Sequence, residues 1–158
     1  MDERARILVV DDDESIRKTL AAILEEEGYD ADTAENGKEA IQKTNARFYN
    51  LALVDIRLPD MEGVKLLTTM KETTPKMIKI IVTGYPSMQN VIAAVNKNAD
   101  AYLVKPLDIP ILLKTIREHL RKQQQDKKYS EEKVTEFIQT RVKEIDEEEE
   151  TTPREKTC

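Results

Sequence analysis

Leu51-Ala52-Leu53-Val54-Asp55-Ile56-Arg57-Leu58-Pro59-Asp60 is the stretch on which the reading of this chain turns. An apolar run ends in one carboxylate, and a proline follows shortly after. The run is short and β-branched enough to be a buried strand. Asp55 therefore falls where a buried strand runs out, at the lip of a sheet. In open α/β sheets that lip is where ligands bind.

The flanking segments supply the rest of the sheet. Ile7-Leu8-Val9-Val10 is a continuous apolar run, as in a strand covered on both faces, and it ends in Asp11-Asp12-Asp13. A helix follows, with Ile16, Leu20, Ile23 and Leu24 at helical spacing, Gly28 as its left-handed C-cap and Tyr29 closing the turn. Asp30 to Ala34 is a more polar strand, expected at a sheet edge, and Asn36-Gly37 opens a second helix carrying Ala40 and Ile41. After the quoted strand, Gly63 starts a helix with Val64, Leu66, Leu67 and Met70 as its stripe, ended by Pro75. Ile78 to Val82 is the fourth strand, stopping at Thr83-Gly84. Ser87 is an N-cap for a helix using Val91, Ala94 and Val95 and ending near Asn98. Ala101 to Val104 is a fifth strand stopped by Lys105-Pro106, and the fifth helix uses Ile109, Leu112, Leu113, Ile116 and Leu120. Strict alternation of strand and helix argues for an α/β fold with a parallel sheet between helices. The simplest solution is flavodoxin-like (βα)5 with strand order 2-1-3-4-5, its first and third strands adjacent at the switch point.

Residues 1–122 make up that domain, and 123–158 read as a charged helical extension with a tail. Gln123 to Lys128 form a polar bridge. Ser130 would cap a further helix with Val134, Phe137, Ile138, Val142 and Ile145 on one face, a tail helix that either extends the fifth helix into a short dimer-forming coil or folds back on the domain. Asp146 to Glu150 put negative charge at its C-terminal end, where fraying is expected, and Thr151 to Cys158 read as disordered. The apolar face points to packing or self-association rather than to a specific effector.

The whole chain has 158 residues, 35% of them charged, with a formal net charge of -6. That balance argues against direct nucleic-acid binding, which needs clustered Lys and Arg. No run approaches the roughly 18 apolar residues of a membrane span, and the charged start, Met1-Asp2-Glu3-Arg4, gives no sign of a signal peptide. The only cysteine is Cys158, so no internal disulfide forms, which fits a cytoplasmic location. The one histidine, His119, is expected to be solvated and makes a His-based metal site or a catalytic triad unattractive.

Four strand ends meet at the lip under this topology, bringing Asp11 and Asp12, Asp55, Thr83, and Lys105 together. Carboxylates within ~5 Å would repel by roughly 3 kcal/mol per pair at an effective dielectric near 20. A divalent cation with oxygen ligands compensates this, and Mg²⁺, held by few carboxylates and several waters, fits. A carboxylate so held can attack phosphorus and form an aspartyl phosphate. Metal and Lys105 would stabilise the transferred oxygens, Thr83 could hydrogen-bond one of them, and Gly84 leaves the site open. Taken singly, each residue has a plainer use. A lone Asp caps a turn, Thr83 ends a strand, Lys105 is a surface lysine, Tyr102 a half-buried aromatic, and Asp13 a helix N-cap. It is the convergence that argues for chemistry.

From about Arg6 to Arg121 the chain resembles a two-component response-regulator receiver domain, similar to chemotaxis regulators. The resemblance is carried by Ile7-Leu8-Val9-Val10-Asp11-Asp12, Asp55-Ile56-Arg57-Leu58-Pro59-Asp60-Met61-Glu62-Gly63, Thr83-Gly84 and Ala101-Tyr102-Leu103-Val104-Lys105-Pro106, in family-like order and separation. It implies that Asp55 is the phosphoacceptor and that Asp11 and Asp12 are the acidic pair, Asp12 the direct Mg²⁺ ligand. It also implies the backbone carbonyl of Arg57 as a further ligand, Thr83 as the switch hydroxyl, Lys105 as the site lysine, Tyr102 as the aromatic switch, and a cis Lys105-Pro106 bond. The implied donor is a phosphohistidine on a sensor histidine kinase or phosphotransfer protein. The output partner is unknown, with homodimerisation an open alternative. Such a protein is not an enzyme beyond its own phosphorylation and dephosphorylation. Asp13 stands where similar receivers often carry Glu, and Asn98 where Gly is common. Arg57 and Tyr85 occupy positions that tune phosphoryl lifetime in the family.

Two other readings remain open. In a Mg²⁺-dependent phosphohydrolase of the haloacid-dehalogenase type, Asp11-x-Asp13 would carry the chemistry and Asp55 would be idle. Alternatively, the chain is the N-terminal piece of a longer transcriptional regulator.

Overall fold

The computed structural model describes residues 4–84, 87–96 and 99–151. Five strands alternate with five helices: β1 (Arg6–Val10), α1 (Glu14–Glu26), β2 (Asp30–Ala34), α2 (Gly37–Ala46), β3 (Leu51–Asp55), α3 (Gly63–Thr69), β4 (Ile78–Thr83), α4 (Met88–Asn96), β5 (Ala101–Val104) and α5 (Ile109–Thr151). The strands form one sheet in the order β2-β1-β3-β4-β5, every pair parallel. This is the flavodoxin-like (βα)5 arrangement expected from the sequence.

Alternation of side chains along the strands makes two cores, one on each face. Leu8, Val10, Ala52, Val54 and Ile81 pack with Ala40 of α2, Leu66 and Leu67 of α3 and Ala94 of α4. Ile7, Val9, Leu51, Leu53 and Ile80 pack on the other face with Leu20 and Leu24 of α1 and Leu112 and Ile116 of α5. Each fully buried Leu or Ile contributes about 1.5–3 kcal/mol by leaving water. The edge position of β2 explains its polar composition.

Register places the strand ends. Val10 pairs with Val54, Asp55 with Val82, and Thr83 with Val104. Asp11, Asp55, Thr83 and Lys105 therefore emerge side by side at the C-terminal edge of the sheet.

The helix caps follow local chemistry. Asp13 caps α1, its side chain accepting from the Ile16 amide, and Asn36 caps α2 through the Glu39 amide. Gly28, just past the end of α1, has φ 94°, the left-handed conformation glycine takes most readily. Lys105-Pro106 is cis, as the resemblance implied, and so is Thr74-Pro75.

Several element boundaries differ from expectation. α3 ends at Thr69, well before Pro75. The hydroxyls of Thr68 and Thr69 both bond back to the Lys65 carbonyl, and Met70 turns extended to bury its side chain. α4 is described over Met88–Asn96, and its expected end near Asn98, like Tyr85, lies outside the described residues. The helix beginning at Ser130 does not exist as a separate element, because α5 continues through 123–130. The sequence from Ile111 to Thr151 holds neither Gly nor Pro, so nothing in the polar bridge breaks a helix. α5 also persists through Asp146 to Glu150. An unfavourable charge near a helix end is worth only about 0.3–1 kcal/mol, and glutamate is a good helix former. Residues 152–158, expected to be disordered, lie outside the described residues.

The chain divides into two units at Gln123 and Gln124. In the second, Tyr129, Val134, Phe137, Ile138, Val142 and Ile145 are all exposed. Two ion pairs among its described residues, Lys133–Glu136 and Arg141–Glu144, are local. Among the described residues no helix is long and apolar enough to cross a membrane.

Candidate functional site

The C-terminal edge of the sheet gathers acids around one base. Ligand atoms of Asp11, Asp12 and Asp55 all lie within 4.8 Å of one another. Lys105 Nζ donates to Asp11 Oδ2 at 2.7 Å and to Asp55 Oδ2 at 3.2 Å. Asp11 and Asp55 are buried, at 4% and 8% exposure, and Asp12 is exposed. Three carboxylates less one ammonium leave two negative charges in the cluster. Its charge and its oxygen donors suit a divalent cation.

Each side chain is set by its strand and the turn after it. Asp11 follows β1, and its carboxylate also accepts the Asp13 amide at 2.9 Å, which folds the acidic turn back on itself. Asp55 ends β3 and accepts the Arg57 amide at 3.2 Å. Burial pushes the Asp55 carboxyl up, as does Asp11, against the opposing pull of the Arg57 amide and Lys105. Burial works to lower the Lys105 pKa, but hydrogen bonds and charge from Asp11 and Asp55 outweigh it, and the net direction is up. Lys105 is fixed through its backbone too, its amide donating to the Thr83 carbonyl at 2.7 Å. Thr83 is fully buried at the end of β4.

Tyr102 is half-buried on β5, packed against the core of β1, β3 and α3. Its hydroxyl is buried and has no hydrogen-bond partner among the described residues, a cost normally avoided inside a protein. The hydroxyl thus already sits inward. Arg57 is exposed and pairs across the β3–α3 loop with Glu62. His119, expected to be solvated, is half-buried, with Nδ1 2.8 Å from the Thr115 carbonyl one helical turn back.

Two supports of the site were not read from the sequence. Arg17 Nη1 donates to the Asp11 carbonyl at 2.8 Å, holding the acidic turn from α1. Its signal was its place on the first turn after the acidic run, which spacing alone does not separate from a surface arginine. Gly63, read only as the start of a helix, has a sharper reason. A Cβ there would meet the Asp55 carbonyl oxygen at 2.1 Å. A groove of about 590 Å³ runs beside the site between Ile16 and Leu20 of α1 and Pro106 to Ile109.

An open parallel sheet with an acidic cluster and a lysine at its switch point is the architecture of a class of α/β signalling domains. Residues 7–117 match the family model described as response regulator receiver domain, and the chain belongs to that family. Over 118 residues it is 38% identical to the transcriptional regulatory protein ZraR of Klebsiella oxytoca, covering 75% of this chain and 27% of that protein. The chain therefore spans about a quarter of that relative's length. It superposes on a CheY-like response regulator receiver domain protein from Methanospirillum hungatei JF-1 with TM-score 0.75 and 44% identity, covering 78% and 99% of the two chains. It also resembles a response regulator from Burkholderia pseudomallei solved with a phosphorylated aspartic acid and a calcium ion (TM-score 0.68, 30% identity, 78% and 72% covered). Receiver domains are signalling modules, and this one implies a phosphodonor partner.

Proposed function

We propose that this chain is a switch operated by phosphorylation of Asp55, with Mg²⁺ held by Asp11, Asp12, Asp55 and the backbone carbonyl of Arg57. The observation that carries it is Lys105 Nζ bonded at once to Asp11 and Asp55 within a cluster of net charge minus two. An Asp55 oxygen attacks the phosphorus of a phosphohistidine on a sensor kinase or phosphotransfer protein. The P–O bond forms as the P–N bond breaks, and the imidazole leaves and takes up a proton. Mg²⁺, when bound, would neutralise charge on the phosphoryl oxygens and the attacking carboxylate. Lys105 meets the same developing charge from the other side. The Burkholderia structure, solved with a phosphorylated aspartic acid and a calcium ion, supports the choice of an aspartate as acceptor.

The phosphoryl group adds charge and acceptor oxygens. Thr83 answers through its hydroxyl and Tyr102 through its inward ring, which biases a pre-existing equilibrium of the α4–β5–α5 face. That face carries exposed Met88, Ile92, Val104 and Ile111, a surface suited to a protein partner or a second copy. Residues 1–122 act as the receiver and 123–158 as its charged extension. The phosphohydrolase reading is weakened by Asp13, whose carboxylate is spent on the Ile16 amide. A second reading, a receiver at the N-terminus of a longer transcriptional regulator, draws support from the 27% share of ZraR that the chain covers.

Acetyl phosphate with Mg²⁺ should place one phosphoryl group on the chain, lost in Asp55→Asn. Rapid turnover of phosphomonoesters would overturn the proposal. The oligomeric state with and without beryllofluoride and Mg²⁺ then reads whether the output is dimerisation.

A further inference from the structure

The β3–α3 loop is pinned at its root and at its tip. At the root, the Gly63 amide donates to the Ile56 carbonyl at 2.8 Å, and Gly63 lies against the Asp55 carbonyl. At the tip, Asp60 reaches across to another element. Its Oδ1 accepts the Gly37 amide at 2.9 Å and its Oδ2 accepts the Lys38 amide at 2.9 Å. These are the first two amides of α2, which have no partner inside their own helix. Asn36 covers the third, from Glu39, at 2.8 Å. A residue 22 and 23 positions downstream thus completes the cap of α2. The two amides hold the exposed Asp60 carboxyl below the usual carboxylate range. Met61 sits so close beneath that a Cβ on Gly37 would meet its sulfur at 2.5 Å.

Between the two pins the loop is short and internally bonded. Leu58 N donates to the Met61 carbonyl at 3.2 Å, and Arg57 and Glu62 form an antiparallel bridge. Whatever fixes residue 60 therefore fixes residue 57. That matters because Arg57 serves the site through its main chain. Its amide bonds Asp55, and its carbonyl is the ligand assigned above. A carboxylate ligand adjusts by turning about its own bonds. A main-chain carbonyl can be placed only by its loop.

We propose that Asp60 is a positioning residue for phosphoryl transfer: by fastening the tip of the 57–62 loop to the first turn of α2, it sets the main chain of Arg57 against Asp55 and the cation. This rests on the function proposed above. Outer-shell groups of this kind commonly change metal affinity 10- to 100-fold.

The test compares Asp60→Ala, Asp60→Asn, which keeps one acceptor oxygen, and Asn36→Ala, which removes the local cap of α2 and leaves the loop alone. In labelling with acetyl phosphate, Asp60→Ala should raise the Mg²⁺ concentration for half-maximal rate by about tenfold or more. The rate at saturating Mg²⁺ should stay near that of the unaltered chain. Asp60→Asn should fall between, and Asn36→Ala should not shift. A Mg²⁺ dependence unchanged in Asp60→Ala, or shifted equally in Asn36→Ala, overturns the proposal. Amide exchange without cation reads the pin separately. The Leu58 and Gly63 amides should exchange faster in Asp60→Ala but not in Asn36→Ala, and equal exchange in both overturns the pin. If the pin holds while the unaltered chain takes no phosphate, the function above fails, and with it the role of Asp60 in transfer.

Discussion

Burial makes the ionised form of Asp55 unfavourable. It is buried beside Asp11, and its carboxyl titrates above the ordinary range. A carboxyl raised in the folded state destabilises the fold wherever it is ionised. Asp55→Asn should therefore raise the urea midpoint at pH 7 without Mg²⁺. The gain should shrink as pH falls through the raised folded value, because the unaltered chain then recovers by protonation. A gain that stays constant down to pH 4 would contradict the cause assigned here. Lys105 has the opposite role. Removing it as Lys105→Met leaves two buried acids facing each other. The expected loss is about 2 kcal/mol, below the 3–5 kcal/mol of a fully buried pair because the ammonium is partly exposed. Mg²⁺ should restore part of that loss in the same urea titration.

At the scale of elements, the site is made by turns rather than by the strands they follow. Gly63 opens α3 hard against the Asp55 carbonyl, so Gly63→Ala must push β3 and α3 apart. Overpacking of this kind costs about 1–3 kcal/mol. Here the displaced atom is backbone at the proposed acceptor, so phosphorylation should fall together with the urea midpoint. α3 itself is short and borrows its closure from the sheet. The buried Lys79 of β4 donates Nζ to the Leu67 carbonyl near the helix end at 2.8 Å, and burial lowers its pKa. The sequence showed the alternation of elements because apolar periodicity is local. It misplaced the end of α3, since Thr68, Thr69 and the inward turn of Met70 compete with the helix before Pro75 is reached.

At the scale of the molecule, the edge of the sheet opposite the site is closed by Gln123. This residue is 8% exposed, and its Nε2 donates to the carbonyls of Asn50 and Lys76 while its Oε1 accepts from Asn50 Nδ2. Asn50 in turn joins β1 through Arg6 and β4 through Ile78. Gln123→Ala should cost about 1–3 kcal/mol for the buried groups left without partners. Acetyl-phosphate labelling should not change, because those bonds lie at the N-terminal ends of β3 and β4 while Asp55 and Thr83 stand at their C-terminal ends. Nothing in the sequence marked Gln123, which stood at the start of what read as a polar bridge.

The sequence by itself determined the five-fold alternation, the parallel order of the strands, and which residues reach the lip. Each follows from patterns within a few residues: apolar runs, a stop residue at each strand end, and a chirality that leaves few ways to connect them. Only the tertiary structure decided that Lys105 bridges Asp11 and Asp55, that Tyr102 already buries its hydroxyl, and that Asp60 and Gln123 fasten distant elements. These are contacts between residues up to 94 positions apart, and their partners are chosen by register and loop geometry. An aspartate that caps a distant helix and the one proposed to receive a phosphoryl group look alike in the sequence. They are told apart by what stands 3 Å from their oxygens, an α2 amide for Asp60 and the Lys105 ammonium for Asp55.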